Sequence, residues 1–126
     1  MQIILIVDDV PPSVDVLRNF LSAHGFGVRR TINGQKAIEL ASQIKPDIIL
    51  MDSMMPVMHG WEATAILKAR EDTKHIPIIT IGEGMEEHQE KALAAGCDDL
   101  LVKPIKLPEL LEKINNLLSQ KRKQDA

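Results

Sequence analysis

The sequence predicts an α/β fold in which a five-stranded parallel sheet carries helices on both faces. Two observations predict it. Five short apolar runs alternate with five amphipathic stretches along the 126 residues, and most of the runs are near-continuous Ile, Leu and Val, as is typical of strands covered on both sides. Strands that alternate with helices imply right-handed crossovers, and the length suits one domain.

The five predicted strands differ in one respect. The second run is the most polar and β-branched, which indicates an edge strand, whereas the other runs are near-continuous Ile, Leu and Val, the pattern of strands covered on both faces. The runs are IILIV at 3–7, VRRTI at 28–32, DIILM at 47–51, IPIITI at 76–81 and DLLV at 99–102.

The helices between the strands have recognisable ends. Gly25 and Gly96 follow the first and fourth helical patterns as stop signals, Asn33 caps the second, and Pro108 lies in the first turn of the last, where a missing N–H costs nothing. The last pattern is the clearest, since its leucines and Ile114 keep helical spacing. The predicted helices cover 13–24, 33–44, 61–70, 86–95 and 107–118.

The composition excludes several classes of protein. With 15 basic and 18 acidic residues the net charge is −3, which gives no general attraction to nucleic acid or anionic lipid. No segment reaches the roughly 18 apolar residues of a membrane span. Cys97 is the only cysteine, so no internal disulfide forms and a reducing, cytoplasmic location is expected. The last residues, 121–126, are predicted to be a short polar tail after a domain at 1–120.

Charged side chains lie where the predicted strands end. Asp8 and Asp9 follow the first strand, Asp52 ends the third, and Lys103 follows the fifth, just before Pro104. In open parallel sheets ligands bind at the carboxyl ends of the strands, so these groups should converge. Three clustered carboxylates favour a hard divalent cation such as Mg²⁺, and a carboxylate beside a cation and a lysine suits phosphoryl transfer.

Each of these residues also has an ordinary interpretation by itself. Asp8 and Asp9 suit a polar turn between strand and helix, Asp52 suits a loop cap, and Lys103 suits a solvated surface. Only their shared position at strand ends favours a site. The four histidines show no metal-ligand spacing and are interpreted as surface residues. Their positions are His24, His59, His75 and His88.

These residues resemble the receiver domain of bacterial two-component response regulators, of which the chemotaxis regulator is the single-domain type. The resemblance covers essentially the whole chain. It implies a flavodoxin-like, doubly wound sheet in the strand order 2-1-3-4-5. The matching motifs are VDD after the first strand, DIILMDSMMPVMHGWE at the third, IPIIT at the fourth and AGCDDLLVKP at the fifth.

The resemblance also implies roles for the residues at the strand ends. Asp52 is the expected phosphoacceptor, and Lys103 the lysine that pairs first with Asp52 and then with the phosphoryl group, followed by a cis peptide to Pro104. Asp8, Asp9, Asp52 and the Met54 backbone carbonyl are the expected Mg²⁺ ligands. The expected partners are a sensor histidine kinase or phosphotransfer protein and a downstream protein, with no nucleic acid and no membrane insertion. The role is that of a signalling receiver rather than an enzyme, apart from its own phosphoryl transfer and autodephosphorylation.

The chain departs from the family pattern at the residues that usually relay the signal. Gly82 stands where the family has a Ser or Thr whose hydroxyl binds the phosphoryl group, and Leu100 stands where it has a Tyr or Phe. Thr80 lies two residues earlier, about 6–7 Å along the strand. His59 replaces the family's acidic residue or Asn in MPVMHG. Glu83 beside Gly82 is expected to point to solvent, although a role in the site stays open.

Three functions therefore remain to be separated. The first is a receiver that is phosphorylated on Asp52 and signals through protein contact. The second is a receiver-type binding module that does not depend on phosphate, because Gly82 and Leu100 cannot operate the usual switch. The third is a phosphatase of the haloacid dehalogenase type, which needs Asp-x-Asp where this chain has Asp8, Asp9 and Val10. A P-loop enzyme is excluded because no Gly-rich lysine loop follows the first strand.

Overall fold

The computed structural model describes residues 1–55 and 57–125 and contains one five-stranded sheet. All strand pairs are parallel, and the order is β2-β1-β3-β4-β5. The predicted fold class and strand order are confirmed. The strands are β1 Ile3–Val7, β2 Gly27–Thr31, β3 Ile48–Asp52, β4 Ile78–Gly82 and β5 Asp99–Val102.

Five helices connect and follow these strands. Asn33 caps α2 through its side-chain oxygen, which accepts the Lys36 N–H at 2.9 Å, and Gly96 ends α4 at φ +102°, so both predicted stop and start signals are confirmed. The helices are α1 Pro11–Ala23, α2 Gly34–Ile44, α3 Gly60–Ala69, α4 Glu86–Ala95 and α5 Leu107–Asp125.

Several predicted bounds were wrong by one or two residues. The third strand begins after Asp47, whose backbone N–H donates to the Ile3 carbonyl at 2.9 Å while its carboxylate, and not a backbone carbonyl, accepts the Ile3 N–H at 2.7 Å. The third and fourth strands run on to Asp52 and Gly82, which still pair with Ile81 and Val102 on the neighbouring strands. The two residues therefore belong to the sheet, and their backbones are fixed by its hydrogen bonds.

The apolar side chains form one cluster on each face of the sheet. The first cluster lies under α1 and α5 and includes Leu17, Leu110 and Ile114. The second lies under α2 and α3 and includes Ala41 and Leu67. Both clusters contain residues of β1, β3 and β4, so these strands are covered on both sides, as their continuous apolar runs predict. The same prediction for β5 was wrong, because β5 is an edge strand that contributes only Leu101 to the first cluster and leaves Val102 exposed. No helix within the described residues is both long and apolar enough to cross a membrane.

The last helix is longer than predicted. It runs from Leu107 to Asp125, so the segment from 121, predicted as a tail, continues the helix up to residue 125. Ala126 lies outside the described residues. The domain boundary at residue 120 therefore stays a prediction.

Candidate functional site

Strand β1 places the first two acids at the carboxyl edge of the sheet. The Asp8 N–H donates to the Thr31 carbonyl at 3.1 Å, which extends the β1–β2 pairing by one residue. The Asp8 side chain is buried, and its Oδ1 accepts the Val10 N–H at 2.8 Å. The next side chain, that of Asp9, is exposed. The Asp8 side chain is thus fixed by burial and by one hydrogen bond, whereas the Asp9 side chain faces solvent.

Strand β3 brings Asp52 beside this pair. One carboxylate oxygen from each of Asp8, Asp9 and Asp52 lies within 4.8 Å of the others. No other group of three or more potential metal-ligating residues occurs in the described parts of the chain. The three acids that the sequence placed at strand ends are therefore brought together.

The Asp52 carboxylate is buried and incompletely compensated. Its Oδ1 accepts the Met54 N–H at 3.2 Å, and its Oδ2 lies 3.7 Å from the Lys103 ammonium nitrogen. Burial raises the pKa of Asp52, and Asp8 and Asp9 add to the rise, whereas the Met54 N–H and Lys103 oppose it. A cation that prefers oxygen ligands would stabilise the ionised form of Asp52 against burial and against repulsion from Asp8 and Asp9.

Lys103 faces the acids from the end of β5. Its backbone N–H donates to the Gly82 carbonyl at 2.8 Å, and the peptide bond to Pro104 is cis, as the resemblance implied. The ammonium is shared, since Glu83 Oε1 lies 3.6 Å away and Asp52 Oδ2 lies 3.7 Å away. Glu83 is 60% exposed, yet it pairs with Lys103, so the expectation that it simply points to solvent was incomplete.

The donor set fits Mg²⁺. Three carboxylates supply hard oxygen ligands, and Asp8 is already oriented by its bond to Val10. The Met54 N–H binds Asp52, which places Met54 at the edge of the site. The ligand role expected for its carbonyl stays a prediction.

Both departures from the family pattern lie side by side in the structure. Leu100 pairs with Thr80 across β4 and β5, and Gly82 pairs with Val102. Leu100 and Gly82 line a small cavity of about 10 Å³ beside the site. No hydroxyl reaches the site from position 82, and no ring occupies position 100.

Gly60 is required for a reason that the sequence did not reveal. The expected role was the turn into the third helix. A Cβ on Gly60 would lie 2.1 Å from the Asp52 carbonyl oxygen, a distance no side chain tolerates. The close approach lets the Gly60 N–H donate to the Ser53 carbonyl at 3.0 Å and fixes the loop beside the acceptor. Pro56 of the same motif lies outside the described residues.

Two histidines were misassigned as plain surface residues. His59 stacks on Trp61 with ring centroids 4.5 Å apart. The ring of His88 in α4 is tilted against that of Trp61, with centroids 5.1 Å apart. Lys91 places its ammonium 5.0 Å from the Trp61 ring centroid. Both histidines are half-buried. His59 lies two residues before Trp61 in the sequence, which was a local signal. His88 and Lys91 are distant from Trp61 in the sequence, and their contacts depend on how α3 and α4 pack.

Ser53 is the site residue that sequence reasoning passed over. It follows Asp52, and its side chain is almost fully buried beside Gly82. It lies within the motif DIILMDSMMPVMHGWE, but the resemblance assigned no role to it.

Comparison with known proteins identifies the family. The family model described as the response regulator receiver domain matches residues 4–115. The chain belongs to this family. It is therefore a two-component receiver, and receivers are signalling modules rather than enzymes in the ordinary sense.

Individual relatives agree with this assignment. The polar-differentiation response regulator DivK of Brucella anthropi is 34% identical over 116 residues, which cover 91% of this chain and 94% of the relative. The receiver domain of sensor histidine kinase PA1611 from Pseudomonas aeruginosa PAO1 has a TM-score of 0.88 and 33% identity, with 94% of this receiver and 98% of that chain covered. That neighbour has a magnesium ion coordinated in its active site cleft. Chemotaxis protein CheY4 of Vibrio cholerae has a TM-score of 0.86 at 27% identity, with coverage of 93% and 98%.

Proposed function

We propose that Asp52 accepts a phosphoryl group from the phosphohistidine of a sensor histidine kinase or phosphotransfer protein. The observation that supports this most is the convergence of Asp52 with Asp8 and Asp9, within 4.8 Å, opposite the Lys103 ammonium at 3.7 Å. An Asp52 carboxylate oxygen attacks phosphorus, the P–N bond to the histidine breaks, and its electron pair leaves with the imidazole nitrogen.

The residues around Asp52 prepare it for this step. The Met54 N–H holds Asp52 Oδ1, which leaves Oδ2 on the side of Lys103 to act as the attacking atom. Lys103 then pairs with a phosphoryl oxygen, which needs only a small shift of a side chain already shared with Glu83. Such positioning and charge stabilisation supply most of the catalysis in phosphoryl transfer.

Mg²⁺ is the cofactor of this proposal. Asp8, Asp9, Asp52 and the Met54 carbonyl would hold it, and it would supply positive charge to the phosphoryl oxygens. The acidic cluster and the magnesium-containing receiver neighbour support this choice.

The signal then passes to a downstream protein. We infer that output is protein contact or a phosphorelay step in the cytoplasm, that the receiver occupies residues 1–120, and that Asp52 loses the group by autodephosphorylation. Membership of the receiver family over residues 4–115 supports these inferences. The net charge of −3, which gives no general attraction to nucleic acid, supports protein contact as the output.

Acetyl phosphate with Mg²⁺ tests the acceptor. Intact mass should rise by one phosphoryl group, with release of acetate, and the Asp52→Asn variant should show no rise. Asp15→Asn is the matched control, since Asp15 is an exposed carboxylate of α1 away from the cluster. Phosphorylation that persists in Asp52→Asn, or none in the wild type, would refute the proposal.

The alternative is a receiver-type module that binds partners without phosphate. The absence of a hydroxyl at Gly82 and of a ring at Leu100 favours it. Beryllofluoride with Mg²⁺ separates the two, because a working switch changes hydrogen exchange in α4 and β5 on binding. Binding at the site with unchanged exchange in both elements would favour the phosphate-independent module.

A further inference from the structure

Ser53 carries a buried hydroxyl that has no partner. The residue is only 1% exposed, and Ser53 Oγ makes no hydrogen bond among the described residues. A buried unsatisfied hydroxyl carries a penalty comparable to that of a lost hydrogen bond. An unpaired buried hydroxyl calls for an explanation, and for one that directly follows the phosphoacceptor in the chain a partner bound in another functional state is such an explanation.

The Ser53 backbone is fixed, so only its side chain is free to move. The Ser53 N–H donates to the Ile81 carbonyl at 3.0 Å, and its carbonyl accepts the Gly60 N–H at 3.0 Å. These bonds connect Ser53 to β4 and to the start of α3. Its hydroxyl therefore moves by rotation among staggered rotamers, without any shift of the main chain.

The hydroxyl lies in the space that a side chain at position 82 would need. A Cβ built on Gly82 would be 3.0 Å from Ser53 Oγ and 3.6 Å from Ser53 Cβ, and it would meet no other atom within 4 Å. A Ser or Thr at position 82 would therefore compete with Ser53 for one volume. The chain supplies a hydroxyl to this volume from β3, whereas the family supplies it from β4.

The surroundings leave room for this hydroxyl to turn. Ser53, Gly82, Leu100 and His88 of α4 line the same cavity of about 10 Å³. His88 Nδ1 is likewise buried without a hydrogen-bond partner among the described residues. Glu83, which pairs with Lys103, lines the same cavity, and Gly82 places no side chain in it.

A phosphoryl group on Asp52 needs more donors than Lys103 alone. Phosphoryl oxygens are strong acceptors, and Lys103 is the one cation within 4 Å of Asp52 in the described residues. We propose that the Ser53 hydroxyl donates a hydrogen bond to the phosphoryl group on Asp52, in place of the hydroxyl that is missing at Gly82. This inference rests on the proposed phosphorylation of Asp52.

Beryllofluoride in the presence of Mg²⁺ is the probe, titrated with the fluorescence of Trp61 and with calorimetry. Ser53→Ala should weaken binding about ten- to hundred-fold, the usual effect of a lost hydrogen bond to a charged group. The double variant Ser53→Ala, Gly82→Ser returns a hydroxyl to the same volume and should restore affinity to within a few-fold. Thr80→Val is the matched control, because Thr80 lines the same cavity one pleat further from the acceptor, and its affinity should be unchanged.

Thermal stability measured without beryllofluoride distinguishes a loss of binding from a loss of structure in Ser53→Ala. Ser53→Ala removes an unpaired buried hydroxyl, so its thermal midpoint should equal or exceed that of the wild type while its affinity falls. Unchanged affinity of Ser53→Ala, or no recovery in a folded double variant, would overturn the inference and leave the proposed function intact. A wild type that binds no beryllofluoride and takes no phosphoryl group would overturn both.

Discussion

Replacement of Asp52 by Asn separates what this carboxylate costs the fold from what it contributes to metal binding. Asn has almost the same shape but carries no charge. Burial raises the pKa of Asp52 above its ordinary value of 3.8. A carboxyl group whose pKa is raised in the folded state disfavours folding once it is ionised. Without metal, Asp52→Asn should therefore be more stable than the wild type.

The size of the effect follows from the distances. At an effective dielectric of 20, repulsion between Asp52 and Asp8 at the 4.8 Å limit amounts to about 3.5 kcal/mol, and attraction to Lys103 at 3.7 Å to about 4.5 kcal/mol. Asp9 is exposed, so water reduces its share to about 1 kcal/mol. These Coulomb contributions nearly cancel. The Met54 N–H bond also favours the wild type, but Asn keeps an oxygen that can accept it. The remaining difference is the cost of burying the charge, about 1–3 kcal/mol. The melting temperature should rise by about 4–12 °C.

The gain in stability of Asp52→Asn over the wild type depends on pH in a defined direction. Below about pH 3.8 the Asp52 carboxyl group is protonated in both the folded and the unfolded chain. Its charge then no longer makes the wild type less stable than Asp52→Asn. The advantage of Asp52→Asn should grow as the pH rises through the raised pKa of folded Asp52, and it should level off above that pKa.

The stabilities of the wild type and of Asp52→Asn are measured by thermal unfolding, monitored by circular dichroism, once with EDTA and once with excess Mg²⁺. At a Mg²⁺ concentration 100 times its dissociation constant the wild type should gain about 2.7 kcal/mol, whereas Asp52→Asn should gain far less. Asp15→Asn should behave as the wild type in both buffers. An Asp52→Asn variant that is less stable in EDTA, or that gains as much from Mg²⁺ as the wild type, would refute the reasoning.

Three further substitutions test local features of the fold by urea denaturation. Gly60→Ala should cost about 3 kcal/mol or more, because its Cβ would meet the Asp52 carbonyl oxygen at 2.1 Å; an unchanged midpoint would contradict this close approach. Val57→Gly should raise the free energy of unfolding by about 1 kcal/mol, because Val57 has φ +74°, a left-handed conformation that glycine adopts without strain. Val57→Ala keeps a Cβ and should raise it less. Thr73→Val should cost about 1–2 kcal/mol, since the buried Thr73 hydroxyl donates to the Leu67 carbonyl at 2.8 Å, and a neutral effect would show that this bond is unimportant.

Part of the site could be predicted because parallel sheets have a polarity. Strands that run in one direction end at one edge, so acids encoded far apart, Asp8 and Asp52, had to meet there with Lys103. The prediction needed only the order of residues along each strand. It did not need side-chain directions, and for that reason it was confirmed although the bounds of β3 and β4 were wrong by one or two residues.

The strands, the main helix ends and the meeting of three acids with one lysine follow from hydrophobic pattern and chain direction, which can be read along the chain. Three contacts could be found only in the folded chain: Ser53 lies against Gly82, Glu83 shares Lys103 with Asp52, and His88 packs near Trp61. These contacts join residues on different elements. They depend on strand register, on helix packing and on rotamers at strand ends, where the regular alternation of side chains stops, and none of these is encoded in any single stretch of the chain.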